Sequence, residues 1–425
     1  MTWYLVNGDV YMEHRFLKKT LKLEEGRIFV LPPDTRPEEG AHIYNAAGKK
    51  IVPGFIDVHT HGAVGVDVNA ATAEDYEKIC RFAAGNGTTS WLCSVLTDTK
   101  EQTCRCIDEF KKHQQMEQKG ANLLGIHLEG PFLSSEYKGA MPEYLLQKAN
   151  LPLLKEYQQR AEGAIRYITV SPEVEGIPDM IPEIRKLGIT VAIGHSGADY
   201  ETSWDAIRKG AQSCTHTFNA MKLLHQHFPA IMGAALESDI YCEAICDGRH
   251  LHPGTVRLLL KVKGLDRVVA ITDSIMAAGL PDGKYKLGVN DVVVEDGDAK
   301  LAENGVRAGS TLTQNVAPNV YPAITPQLLA VVKDYIEDSM TATTFSKEQR
   351  GRRGREIVTA EIIYYWMISH QIPFECQKWH LNRLMTLINV CSAKTGPQKK
   401  MSQKDIFAQN RALNAARRKR GNTRG

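Results

Sequence analysis

The chain predicts an α/β fold: a (β/α)8 TIM-like barrel, preceded by a small N-terminal β-module and followed by an α-helical, basic C-terminal tail. Three observations predict it. Eight apolar β-type runs alternate with helix-like stretches between residue 51 and about residue 313, and such alternation marks a parallel sheet covered by helices. That interval has about the 250 residues an eight-fold barrel needs. Ligand-type polar residues, finally, recur at the carboxyl end of run after run. The full length of 425 residues leaves room for further domains of ordinary size. With 43% apolar and 24% charged residues, the chain reads as globular and not disordered.

Residues 1–50 alternate short β-rich runs, TWYLVN, DVYM, FLKKTLKL and GRIFVLP, with Gly and Pro punctuation, the texture of a small strand-built module. The barrel region, 51–314, carries the runs IVPGFIDVHTH, TTSWLCSVLT, LLGIHLEG, IRYITVSPE, ITVAIGHSG, SCTHTFNAM, YCEAICDGRH and RVVAITDSI. Between them, AEDYEKICRFAAGNG follows Thr72 with Asp75 three residues on, a capping box, and PGTVRLLLKVKG starts on Pro253. After the eighth run, YKLGVNDVVVEDGDAKLAENGVRAGS reads as a hairpin insertion built around Gly and Asp turns. The prolines of VAPNVYPAITP then break regular structure.

Residues 315–425 form the tail. Segments 357–370 and 378–392 have the apolar faces of helices, and Ser402 with Asp405 caps a basic third helix that ends at Gly421. The tail holds 18 Lys+Arg against 8 Asp+Glu, a net of +10, so the overall +3 conceals a body, residues 1–314, of net −7. No run approaches the roughly 18 apolar residues of a membrane span, and the N-terminus lacks a signal-peptide layout. The expected setting is therefore cytoplasmic, without membrane contact. Nine cysteines, an odd number with no CxxC pair, read as reduced core or helix residues.

The chemistry collects at strand ends. His59 and His61 end the first run, His127 and Glu129 the third, His195 the fifth, His216 the sixth, His250 the seventh and Asp273 the eighth. In a (β/α)8 barrel these ends meet on one face, where active sites are built. His59 and His61 are two apart, so on a strand both imidazoles point to one side. Glu129, His195 and His216 add a carboxylate and two imidazoles, a set suited to one or two divalent metals. Three protein ligands leave a coordination position open, as catalysis requires, whereas a structural site closes with four. Any one such histidine is more often a core or surface residue; five ligand-type residues on one face outweigh that reading. His127 reads as structural support behind Glu129. Asp273 ends an apolar strand, where a carboxylate is costly to bury unless paired or metal-bound. Beside a metal-activated water it can take a proton and return it to a leaving group; its plain alternative is a cap of the next turn.

At these residues the chain resembles the amidohydrolase superfamily and, within it, the N-acetylglucosamine-6-phosphate deacetylase family. The shared signatures are PGFIDVHTHG, GTTS, GIHLEGPFL with KGA, GHSGA, THTFNAM, DGRHLHP, ITDSI with AAG, and AGSTLT, in the family's order over residues 1 to about 314. The resemblance implies hydrolysis of the acetamide of an N-acetyl amino-sugar phosphate in amino-sugar catabolism. It implies that Glu129, His195 and His216 hold a principal divalent metal, zinc or iron, that His59 and His61 hold a second one, and that Asp273 is the acid and base. Substrate contacts are expected from Ala140, Asn219, Ala220, His227, His250, Arg307, Ala308 and Gly309. A homodimer is expected on the same ground.

Three departures from the family pattern stand out. Met141 follows KGA where the family usually has His or Gln, and a thioether donates no hydrogen bond. His227, within His-Phe-Pro-Ala, stands where the family places its phosphate-binding Arg, so the bidentate fork is lost. After Thr313 the family's closing strands are missing, which leaves the β-module incomplete, with exposed sheet edges, and leaves segment 324–340 as the candidate for the last barrel helix. A gene fusion, frameshift or assembly junction would explain both the lost ending and the change of charge. Two other functions stay open: an amidohydrolase acting on another N-acyl sugar or a cyclic amide, and a damaged barrel whose basic tail, the expected place for any nucleic-acid contact, does the binding.

Overall fold

The computed structural model describes residues 2–13 and 15–311, together with Leu384 and Ile388. The chain divides into two compact units, Met1–Ala323 and Ile324–Gly425. In the second, Leu384 and Ile388 are each helical and buried. Otherwise, the helices expected at 324–340, 357–370, 378–392 and 402–421 lie outside the described residues.

The N-terminal module is a five-stranded sheet. Its strands are β1 (Trp3–Met12), β2 (Arg15–Glu24), β3 (Arg27–Leu31), β4 (His42–Asn45) and β5 (Lys50–Ile51). β1, β2 and β3 pair antiparallel in sequence, while β4 and β5 pair parallel to the other side of β1. TWYLVN and DVYM, two runs by their sequence, are one strand. Its register slips between Leu5 and Gly8 around Asn7 (φ 58°), a bulge that interrupts the alternation without ending the strand. Where β1 pairs with β5, a Cβ on Gly8 would stand 2.5 Å from Ile51 Cδ1 and 3.0 Å from Ala46 Cβ, so any larger residue there has to displace the Ile51 side chain. The strands at the two ends of the described sheet, β3 and β4, leave Ile28 and Ile43 65% and 57% exposed.

β6 (Phe55–Thr60) starts the barrel, followed by a small hairpin of β7 (Gly62–Ala63) and β8 (Val66–Asp67). The alternation then runs α1 (Ala73–Gly85), β9 (Thr88–Leu96), α2 (Lys100–Gln114), β10 (Asn122–Glu129), α3 (Leu151–Arg160), β11 (Ile165–Val170), α4 (Ile177–Lys186) and β12 (Thr190–Ile193). It continues through α5 (Tyr200–Arg208), β13 (Ser213–Cys214), α6 (Ala230–Glu237), β14 (Tyr241–Ile245), α7 (Pro253–Lys263) and β15 (Val268–Ile271). The eight parallel strands pair in the order β6, β9, β10, β11, β12, β13, β14, β15, one for each expected run. Alternation along β9 sends Trp91 and Cys93 outward, into a core with Tyr76, Ile79 and Cys80 of α1, and leaves the opposite parity for the barrel interior. The capping box forms as expected: Thr72 Oγ1 accepts from Asp75 N, and the Asp75 carboxylate accepts from Thr72 N.

The barrel is nearly closed, with β15 meeting β6 just past its own end. Asp273 N donates to His59 O (2.9 Å) and His61 N to Ser274 O (2.8 Å). The buried Asp57 carboxylate bridges this seam, accepting from Thr60 Oγ1, Thr272 Oγ1 and the amides of His59 and Thr272. The expected hairpin insertion is a three-stranded meander of β16 (Gly283–Leu287), β17 (Asn290–Glu295) and β18 (Asp298–Leu301). Its second turn, Asp296-Gly297, has two positive φ values (51° and 70°), as a two-residue hairpin turn of matching twist demands. The meander buries Leu287, Val292 and Val294 in a cluster that includes Leu96, Leu133 and Met141. Among the described residues no helix is long and apolar enough to cross a membrane.

Candidate active site

Strand geometry brings five donors together at the carboxyl face. Glu129 is the last residue of β10, and His59 and His61 lie at the end of β6, the latter just past it. His195, His216 and Asp273 each sit two residues beyond their strands, with left-handed φ of 46°, 25° and 48°. Such backbone is costly for side-chain-bearing residues and persists only where surrounding structure imposes it, most often at functional sites. Here the chain turns sharply off the barrel rim, and the side chain is delivered over the barrel axis.

Glu129 sits at the centre. Its Oε1 lies 3.2 Å from His59 Nε2, 3.2 Å from His195 Nε2 and 3.3 Å from His216 Nε2, and its Oε2 lies 3.2 Å from His61 Nε2. Asp273 Oδ1 is 3.3 Å from His61 Nε2 and 3.5 Å from His59 Nε2. All six side chains are buried. Two groups of three, His59–His61–Glu129 and Glu129–His195–His216, are spaced to hold an ion each, sharing the carboxylate.

The imidazole tautomers test whether a cation fits. His61 Nδ1 faces the carbonyl of Ser94 (3.0 Å), His195 Nδ1 the carbonyl of Tyr137 (2.9 Å), and His59 Nδ1 the Glu243 carboxylate (3.1 Å). Each partner only accepts, so each Nδ1 carries the proton and each Nε2 turns a lone pair inward. Yet His59 Nε2 and His61 Nε2 are 3.1 Å apart, and His195 Nε2 and His216 Nε2 3.0 Å. The lone pairs of His59 and His61 face each other and repel unless a cation lies between them, and the donors of both pairs, about 3 Å apart, suit an ion held at about 2.0–2.1 Å from each. The residues present therefore fit a divalent metal.

The electrostatics show the same demand for positive charge at the centre, which protons on the rings meet where no metal does. Burial works against a charged His61, but Glu129 and Asp273 outweigh it and push its pKa up to about 9; the same two carboxylates raise His59 well above its ordinary value. Burial likewise opposes ionisation of Glu129 and Asp273. The facing histidines reverse that, holding Glu129 well below the usual range and lowering Asp273. His127 behaves differently: burial, reinforced by nearby His59, drives it well below its usual value, to a neutral ring. It bonds Ser94 Oγ (2.8 Å) and Thr169 Oγ1 (2.9 Å) and stands edge-on to His59, which places it behind the donors.

A cavity of about 510 Å³ opens over the cluster, lined by Glu129, His61, His195, His216 and Asp273. Of the expected substrate contacts, Ala140, Asn219, Ala220, His250, Arg307 and Gly309 line it. His250 is held by Asp247 (Nδ1 to Oδ2, 2.6 Å). Burial disfavours the charged Asp247, but His250 and the amides of Arg249 and His250 keep its carboxyl below the ordinary range. Arg307 reaches the wall with its guanidinium paired to Asp298 and bonded to Arg249 O. Ala308 lies in the buried cluster beneath the meander, its amide bonded to Ala299 O, and is off the lining. His227 is also off the lining, on an exposed loop, with Nε2 against the Gln226 amide. Met141 is on the wall but 2% exposed, packed in the apolar cluster. Sequence reasoning passed over Lys138, on the cavity wall, and Glu243, behind His59. The signal for Glu243 was present: a lone carboxylate inside the apolar run YCEAIC has to find partners.

Comparison with known proteins agrees with this geometry. The Amidohydrolase family model matches residues 51–325. The chain is 34% identical over 299 residues to the N-acetylglucosamine-6-phosphate deacetylase of Bacillus subtilis (strain 168), covering 69% of this chain and 75% of that protein. It is 32% identical over 268 residues to the N-acetylgalactosamine-6-phosphate deacetylase of Escherichia coli O157:H7, covering 63% and 71%. Among solved structures, N-acetylglucosamine-6-phosphate deacetylase from Pasteurella multocida superposes with a TM-score of 0.70 at 29% identity, over 77% of this chain and 85% of that one.

Proposed function

The chain belongs to the amidohydrolase family, and from that premise we propose that it hydrolyses the acetamide of N-acetyl-D-glucosamine 6-phosphate, giving glucosamine 6-phosphate and acetate. The observation that carries this reading is the inward convergence of four imidazole Nε2 atoms on Glu129, with Asp273 alongside. Glu129, His195 and His216 would hold a principal divalent metal, zinc or iron, and His59 and His61 with Glu129 a second. When bound, the metal supplies positive charge that polarises the acetamide carbonyl and makes water acidic enough to attack it near neutral pH.

The chain's own residues do the rest. Asp273, ionised in the resting site, takes the attacking water's proton on Oδ1 and delivers it to the sugar nitrogen, without which the amine is a very poor leaving group. His127 and the apolar cluster around Met141 keep the rear and flank of the site dry, which strengthens each charge interaction within it. Asn219 is fixed by a bond from its Nδ2 to His216 O (3.1 Å), and His250 by Asp247, so both meet the sugar without reorganising. Lys138 and Arg307 bring positive charge to the cavity wall and are the groups we assign to the phosphate, since His227 stands away from the lining. Met141 donates no hydrogen bond, so carbonyl polarisation falls to the metal and the remaining donors.

Acetate release from N-acetylglucosamine 6-phosphate, measured with and without chelator and paired with metal analysis, tests the reading. Metal-replete protein that releases no acetate would refute it. Comparison with N-acetylgalactosamine 6-phosphate and with unphosphorylated N-acetylglucosamine then fixes the sugar and the weight of the phosphate. A homodimer belongs to the same proposal, and the mass in solution checks it.

A further inference from the structure

Glu243 lies in β14, on a different strand from every metal donor, and is wholly buried. Its Oε2 accepts from His59 Nδ1 (3.1 Å) and from the backbone amide of His216 (3.1 Å), and its Oε1 accepts from the Tyr167 hydroxyl (2.6 Å). One carboxylate thus ties β6, β11 and the turn after β13 to β14. Burying a carboxylate is costly unless hydrogen bonds satisfy it, and three donors do so here.

We propose that Glu243 is a positioning residue that fixes the proton of His59 on Nδ1 and thereby builds the His59–His61 half of the metal centre. This rests on the metal-centre reading above. His59 Nε2 must present a lone pair 3.1 Å from His61 Nε2 and 3.2 Å from Glu129 Oε1. It does so only while Nδ1 bears the hydrogen, and the acceptor that holds that hydrogen is Glu243 Oε2. His127, the ring against the other side of His59, offers no replacement, because both its nitrogens are engaged by Ser94 and Thr169. The other half of the centre depends on Glu243 less. His195 takes its tautomer from Tyr137 O, and Glu243 touches His216 through the backbone amide, not the ring. The effect of Glu243 is therefore unequal between the two halves.

The test uses full-length protein stripped of metal and titrated with Zn²⁺ against a chromophoric chelator, for the wild type, Glu243→Gln and Tyr167→Phe. Glu243→Gln keeps the shape and removes the charge. Loss of a hydrogen-bonding partner behind a metal ligand typically weakens metal affinity by about 10- to 100-fold. We expect that loss in one binding step, with the other within about threefold of wild type, and a fall in kcat at unchanged KM. Histidine-labelled NMR of the zinc-loaded protein should show one ring's Nδ1–H signal shifted and exchanging faster with solvent in Glu243→Gln, which a purely structural defect would not single out. Tyr167→Phe, which touches no metal donor, should weaken the same step by a smaller factor and keeps the proposal testable if Glu243→Gln does not fold. Wild-type affinity in every step of a folded variant overturns the proposal, as does equal weakening of both steps. A wild type that binds no ion sinks the metal-centre reading along with it.

Discussion

Asp273 combines a left-handed backbone, a buried carboxyl and two imidazoles within 3.5 Å. Substitution by Asn keeps the shape and removes the proton acceptor, so kcat should fall by about 10²–10⁴-fold while the protein keeps its metal; metal analysis beside acetate release reads both. Loss of metal in that variant would make Asp273 a ligand first. Glu129 is the converse case, since it serves both halves of the donor set. Glu129→Gln should lower metal content at both positions together, and loss of one ion alone would contradict the shared role. The cysteines follow from burial. The seven described cysteines are free and buried. Burial, the largest cause in each case, pushes Cys80 up to about 11 and Cys106 and Cys246 up to about 12. A raised thiol pKa contributes stability below its ordinary value of about 9 that is lost as pH climbs towards 11 or 12. At pH 8 these thiols are neutral and should react with a disulfide reagent only on unfolding; rapid labelling of any of the three in the native protein would contradict the packing.

The seam between β6 and β15 shows what holds the elements in place. Asp57 accepts four bonds there, and burial, its main perturbation, raises its pKa. Asp57→Ala leaves those donors unpaired at about 1–3 kcal/mol for each that finds no water, and for a unit this large each kcal/mol lowers Tm by about 2–4 °C. A calorimetric scan showing an unchanged Tm would mean that the barrel closes without it. The strands themselves were legible because their runs are apolar and bounded by ligand residues, and the Thr72 capping box because its signal is local. The β1 bulge was not, since a single left-handed Asn looks like any break in alternation. Glu243 stood out as a lone carboxylate in an apolar run, but its role, like that of Asp57, was hidden for a different reason. Their partners come from strands far away in sequence, and only barrel closure sets them face to face. Met141 was legible as a departure from the family pattern but not as part of the packing beneath the meander, because those neighbours lie as far on as Ala308.

At the scale of the whole chain the charge is divided. Every donor of the metal centre and every wall of the cavity lies within Met1–Ala323, and residues 1–314 carry −7 while residues 315–425 carry +10. An acidic body repels polyanions, so retention on nucleic acid has to come from the tail, and within it from the densest run, Arg417, Arg418, Lys419 and Arg420. Binding of that kind releases counterions, and its affinity falls with salt with a logarithmic slope of about −0.9 per phosphate contact on duplex DNA. Full-length protein should bind duplex DNA at low salt and release it as salt rises. Changing the four residues to Gln should flatten the slope by up to about 3.6, that is, four contacts at 0.9 each, with acetate release unchanged within about twofold. A slope indifferent to the four changes would leave the run as solvated charge, and binding that survives high salt would call for a contact other than charge.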